Sequence, residues 1–96
     1  MFLITEKIKL TPTVSKLTIK APDVVRHAKP GQFVMLRVEE NGERIPLTIA
    51  ESNINNGTIS IIFQVVGSTT QKLDLLETGD YLIDFAGPMG KPSKLE

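Results

Sequence analysis

Between Thr58 and Val66 the side chains alternate: Ile59, Ile61, Phe63 and Val65 fall on one face, and Thr58, Ser60 and Gln64 on the other. A period of two puts its apolar residues all around a helix but on one side of a strand, so this stretch reads as a half-buried strand. The pattern recurs. Phe2, Ile4, Ile8 and Leu10 alternate with Leu3, Thr5, Lys7 and Lys9, and Glu6 interrupts the apolar face once. Leu17 and Ile19 alternate with Lys16, Thr18 and Lys20, and Tyr81, Ile83 and Phe85 share a face over Tyr81–Ala86. Phe33–Val38 is apolar at nearly every position, as for a strand at the waist of a barrel.

Turn chemistry separates these runs. Thr11-Pro12-Thr13 and Ala21-Pro22-Asp23 break the chain, and Val24–Lys29 is left as a loop or one helical turn. Lys29-Pro30-Gly31-Gln32 has the proline and glycine that a type II turn demands. Asn41-Gly42 is a strong hairpin signal, which makes Arg44–Glu51 a strand antiparallel to Phe33–Val38. Asn53–Gly57 is a further turn. Ser68-Thr69-Thr70-Gln71 has capping-box spacing, with Leu73 and Leu76 giving a short helix one apolar edge. An open sheet of this size would leave two exposed edges. The expected fold is therefore all-β: a six-stranded antiparallel Greek-key barrel with one short helix before the last strand.

Composition narrows the functional classes. At 96 residues and 41% hydrophobic, the chain can close one modest core, which makes a single domain. Eleven basic and eleven acidic residues cancel, so no global field draws a nucleic acid or an anionic membrane. With no cysteine, the chain cannot form a disulfide, a thiolate metal site or a thiol nucleophile, and it suits a reducing compartment. The apolar start at Met1–Ile4 is too short for a secretory or membrane segment, and a cytoplasmic location is the default. His27 stands alone in a polar loop, Met35 reads as core filler, and Asp74, Glu77, Asp80 and Asp84 read as solvated surface.

Two stretches carry more than packing requires. In Glu43-Arg44-Ile45-Pro46-Leu47-Thr48, Pro46 has no amide hydrogen and belongs at an edge or mouth, where neighbouring backbone groups are free for a ligand. Thr48 adds a hydroxyl and Arg44 a planar cation suited to a diphosphate. The same residues also make an ordinary edge strand with a solvated arginine. In Gly67-Ser68-Thr69-Thr70-Gln71, a helix start offers unpaired amides, three hydroxyls and a glycine that lets a phosphate approach the backbone. A plain helix cap has that sequence too.

Taken in order, barrel strands, Arg-Ile-Pro-Leu-Thr-Ile, a Gly-Ser-Thr-Thr helix start, Gly-Asp and Gly-Pro-Met-Gly resemble the flavin-binding half of the ferredoxin–NADP reductase superfamily. The likeness is greatest to its small electron-transfer subunits, those of NADH-dependent ferredoxin–NADP oxidoreductase, sulfide dehydrogenase and dihydroorotate dehydrogenase. The resemblance implies Pro46, Leu47 and Thr48 beside the flavin ring, with Arg44 as its cationic partner. It implies Phe63, Gln64 and Val65 lining the cofactor, and Gly67, Ser68, Thr69 and Thr70 on the pyrophosphate. It implies FAD rather than FMN, no metal within the chain, and electron transfer between NAD(P)H and an iron–sulfur carrier such as ferredoxin. The dihydroorotate-type subunits place arginine directly before the proline, where this chain has Ile45. Residues 1–90 would be the flavin barrel, and 91–96 a linker or the truncated start of an absent nicotinamide-binding domain; Leu95-Glu96 is an ending that a cloning junction leaves. The chain alone would then not be a complete enzyme. The competing expectation is a ligand-free β-barrel interaction module that docks a protein partner through Phe33–Val38 and Tyr81–Ala86.

Overall fold

A computed structural model describes residues 1–29 and 31–90. Seven strands and two short helices follow one another: β1 (Phe2–Thr11), β2 (Val14–Lys20), α1 (Pro22–Val25), β3 (Phe33–Arg37), β4 (Ile45–Asn53), β5 (Thr58–Gln64), α2 (Ser68–Asp74), β6 (Tyr81–Leu82) and β7 (Asp84–Met89). All pairings are antiparallel, in the order β6-β1-β2-β5-β4-β3-β7. The two end strands are consecutive in the chain, with Ile83 alone between them. One continuous run of backbone therefore spans both edges of the sheet and closes the barrel, which removes the unpaired edges that an open sheet would expose.

That run is the main departure from the expected six strands. A single last strand over Tyr81–Ala86 is replaced by two: Leu82 pairs with Phe2 of β1, while Asp84 pairs with Arg37 of β3. Periodicity reports which face a residue occupies, not which neighbour its backbone bonds, so the change of partner at Ile83 leaves no mark in the pattern. β7 also runs on through Met89, so Gly87-Pro88-Met89 belongs to the barrel wall.

The core gathers the inward face of every strand. Ile4, Leu17, Ile19, Val34, Leu36, Ile59, Ile61, Leu73 and Leu82 are fully buried, with Ile49, Phe63 and Phe85 nearly so. In β1 the alternation breaks where Glu6 interrupts it. Register shifts between Ile4 and Glu6 and between Lys9 and Thr11 turn Ile8 and Leu10 outward, leaving them 40% and 47% exposed. In β3, Val34 and Leu36 point inward, and Phe33, Met35 and Arg37 stand half-buried on the outer face. The β3–β4 connection is a longer loop over residues 38–44, turned by a hydrogen bond from the Gly42 amide to the Glu39 carbonyl. The turn after α1 has Gly31 at φ +88° and the Gln32 amide bonded to the Lys29 carbonyl. Pro30, and the expected linker at 91–96, lie outside the described residues.

Candidate functional site

β4 changes partner half-way along. Ile45 to Thr48 pair with β3, and Ile49 to Asn53 pair with β5. From Ile45 to Thr48, then, the edge of β4 that faces β5 carries no ladder. β5 continues past the point of divergence through Phe63 and Gln64, bonded to β2 on its other side. A notch opens in the barrel wall between the two strands, and Pro46 stands in it, where a missing amide hydrogen costs no pairing with β5.

Alternation sorts the predicted residues around this notch. Pro46 and Thr48 are exposed on the outer face of β4, while Leu47 is half-buried and packs against the core. Thr48 stands opposite Phe33 and Pro46 opposite Met35; on the far side of β3, Phe33 faces Met89 and Met35 faces Ala86. A shallow apolar platform results, and Met35 is part of it rather than core filler. On β5, Gln64 is exposed, but Phe63 is only 3% exposed and serves the core. Val65 is half-buried, and its amide bonds the Thr13 carbonyl. The Leu47 and Phe63 side chains are thus turned away from the outer face, as a period of two requires once Thr48 and Gln64 face outward.

The helix start lies beside the loop before β4. Gly67 is the N-cap, in an extended conformation (φ −153°, ψ −177°), and the box partner is Thr70. The Thr70 hydroxyl oxygen accepts hydrogen bonds from the amides of Val66 and Gly67, both at 3.0 Å. The expected Ser68–Gln71 box is therefore shifted by one residue, because the chain is still extended at Gly67. This leaves the first amides of α2 without carbonyl partners inside the helix. A Cβ added at Gly67 would meet nothing within 4 Å, so neither packing nor backbone geometry requires glycine there. A cleft of about 240 Å³ separates the helix start from the β3–β4 loop, with Glu43, Ser68, Thr69 and Lys72 among its lining residues. Across it the Thr69 hydroxyl donates to Glu43 Oε1 at 2.7 Å, and Lys72 pairs with Glu39 at 2.6 Å.

Arg44 reaches over β3. Its Nε and Nη2 donate to Asp84 Oδ2 at 2.9 and 2.7 Å. The Arg44 guanidinium beside Asp84 holds that carboxyl below its ordinary value, although partial burial works the other way. Sequence reading placed Asp84 on solvated surface and passed over Arg37, which is opposite Asp84 in the ladder. Nothing local marks either residue, since Arg44 and Asp84 are 40 positions apart and Arg37 meets Asp84 only through the pairing of β3 with β7. Among the described residues no cluster of acidic or histidine side chains could hold a metal ion, and no helix is long and apolar enough to cross a membrane.

Barrel, notch, platform and adjoining helix start define a small Greek-key domain whose wall is interrupted where β4 parts from β5. The chain belongs to the oxidoreductase FAD-binding domain family, whose model matches residues 2–93. It is 46% identical over 94 residues to a Clostridium beijerinckii protein from the adh 3′ region, covering 98% of this chain and 32% of that one. It is 43% identical over 93 residues to a Thermotoga maritima homologue of the electron transfer subunit of dihydroorotate dehydrogenase B (NAD(+)), covering 97% of this chain and 33% of that protein. A solved structure of the NADH-dependent reduced ferredoxin–NADP oxidoreductase, studied for flavin-based electron bifurcation, superposes with a TM-score of 0.94 at 41% identity, over 98% of this chain and 34% of that one. The chain spans about a third of the length of these relatives.

Proposed function

We propose that this chain is the flavin-carrying part of a longer electron-transfer protein, with FAD as its cofactor, which moves electrons between NAD(P)H and an iron–sulfur carrier such as ferredoxin. The observation that supports this most is the outer face of β4. Pro46 and Thr48 stand opposite Met35 and Phe33 where the ladder to β5 stops, so an apolar surface adjoins backbone groups with no strand partner. A planar heterocycle with polar edges matches both halves of that surface.

In this reading Pro46 and the Thr48 methyl lie against the ring, the Thr48 hydroxyl and the unpaired backbone groups of Pro46 and Thr48 meet its polar edge, and Leu47 supports them from the core. Gln64 and Val65 bound the other side of the notch, and Phe63 supports them from the core. Arg44, with the Ser68 hydroxyl and the amides of Ser68 and Thr69, takes the pyrophosphate, while Gly67 leaves it room to approach and the Thr70 hydroxyl holds the cap. FAD is preferred to FMN because the helix start offers a place for a pyrophosphate. The open space at Gly67 fits the group: a Cβ would project where a phosphate must approach. A bound flavin accepts a hydride and passes on single electrons, and the barrel's part is to hold and orient it. The nicotinamide-binding part and the iron–sulfur partner are assigned to polypeptide beyond this domain, in a cytoplasmic setting that a cysteine-free chain suits.

The test is a visible absorption spectrum of the chain after incubation with FAD and desalting, backed by a fluorescence titration. A retained yellow spectrum is the expected result; no saturable FAD binding would overturn the reading and favour the colourless interaction module. Thr48→Ala removes one exposed hydroxyl, so it is expected to weaken FAD binding about fivefold with an unchanged melting temperature. An equal affinity would take Thr48 out of the site.

A further inference from the structure

Arg37 occupies the outer face of β3 two residues beyond Met35, so it continues the platform row as a cation. Its Nη1 donates to the Glu40 carbonyl at 2.9 Å, and its Nη2 lies 3.9 Å from Asp84 Oδ2. Its Nε is buried and has no hydrogen-bond partner among the described residues. That is an expensive state for a donor on a charged group, and protein structures rarely leave one so without reason. Asp84 Oδ2 already carries two bonds from Arg44. Two guanidinium groups thus share one carboxylate at the end of an apolar platform. In the adjoining loop Glu39 pairs with Lys72, and Glu43 accepts from the Thr69 hydroxyl.

We propose that Arg37 is a second phosphate-binding residue, sharing a phosphate of the flavin nucleotide with Arg44 while Asp84 serves as the counter-ion that keeps the two cations side by side. The proposal rests on the flavin reading above and adds to it a group that recognises the phosphate rather than the ring. The Arg37 side chain keeps about a quarter of its surface accessible, 26%, so a phosphate can meet its exposed part beside Arg44, and two planar forks match a tetrahedral anion better than one.

The test compares FAD, FMN and riboflavin, which share the ring but not the phosphate, by fluorescence titration of the wild-type chain and of Arg37→Met and Arg37→Lys. Loss of a charge-assisted contact predicts affinity for FAD and FMN about ten- to a hundredfold weaker in Arg37→Met. Riboflavin affinity stays within about twofold, because an uncharged ligand makes no ion pair. Arg37→Lys restores part of the loss, since it keeps the charge without the fork. Equal weakening for all three ligands would mean that Arg37 only supports the wall, and unchanged FAD and FMN binding would remove it from the site; either overturns the proposal and leaves the flavin reading standing. Inorganic pyrophosphate, followed through the side-chain Nε–H NMR signals of Arg37 and Arg44, probes the anion site without the ring. A saturable shift of both is expected, and a still Arg37 signal overturns the proposal whether or not flavin binds.

Discussion

At Gly67 and Gly90 the same residue type answers two different demands. Gly90 sits at φ +81°, and a Cβ there would lie 2.9 Å from the Phe33 ring, so glycine is required by both backbone and packing. Gly67 is extended and open on every side. Gly90→Ala is expected to destabilise the fold by about 1–3 kcal/mol through strain and through pressure on the platform. Gly67→Ala should leave stability within about 1 kcal/mol of wild type while weakening FAD binding. Urea unfolding and flavin titration of the two variants check this; a Gly67→Ala protein that binds FAD normally would show that no phosphate comes close there. The exposure of Pro46 and Thr48 was legible in the sequence, because proline and alternation both speak locally. The inward turn of Leu47 and Phe63 follows from that same alternation, whereas the roles of Arg37 and Asp84 depend on which strands become neighbours.

The element that positions the helix start is α2, and it is anchored at its far end. Asp74 accepts hydrogen bonds from Lys9 at 2.5 Å and from the buried Ser15 hydroxyl, and the Lys7 ammonium donates to the Asp74 carbonyl. The last turn of the helix is thereby tied to β1 and β2. Partial burial disfavours the charge on Asp74, but the bonds from Lys9 and Ser15 and the two lysine charges outweigh it and hold the carboxyl below its ordinary value. A lowered folded-state value means that the unfolded chain takes up the proton first as pH falls. The stability this carboxylate contributes is complete above the ordinary carboxylate range and drains away as pH drops through the folded-state value. Asp74→Asn is therefore expected to cost stability at pH 7 and progressively less below about pH 4. Urea titrations at neutral and acid pH test it, and a difference that stays constant with pH would count against the network. Sequence reading placed Asp74 on solvated surface because a carboxylate on a short helix looks the same whether or not lysines from β1 reach it. It did locate the helix itself, since Leu73 had to be buried and is.

For the molecule as a whole, nearly every strand was legible, because each buries one face and the alternation survives wherever that is so. What escaped were the bulges in β1 and the division of the last strand, both properties of register. The barrel has one core, and its fully buried residues come from several strands and α2, so loss of volume anywhere is shared. Leu36→Ala, at a fully buried position, is expected to cost about 2–5 kcal/mol and to lower the midpoint of a single cooperative unfolding transition. Separate transitions for the two halves of the sheet would contradict a closed barrel. Closure also fixes where the chain leaves. β7 delivers Gly90 to the rim of the platform, where its carbonyl accepts a hydrogen bond from Gln32 Nε2 at 3.0 Å and Phe33 packs alongside. Any polypeptide joined beyond that point is tethered within reach of the Thr48 surface. A second domain attached there would meet the ring at an effective concentration set by the length of a short tether, so it needs little affinity of its own for the barrel.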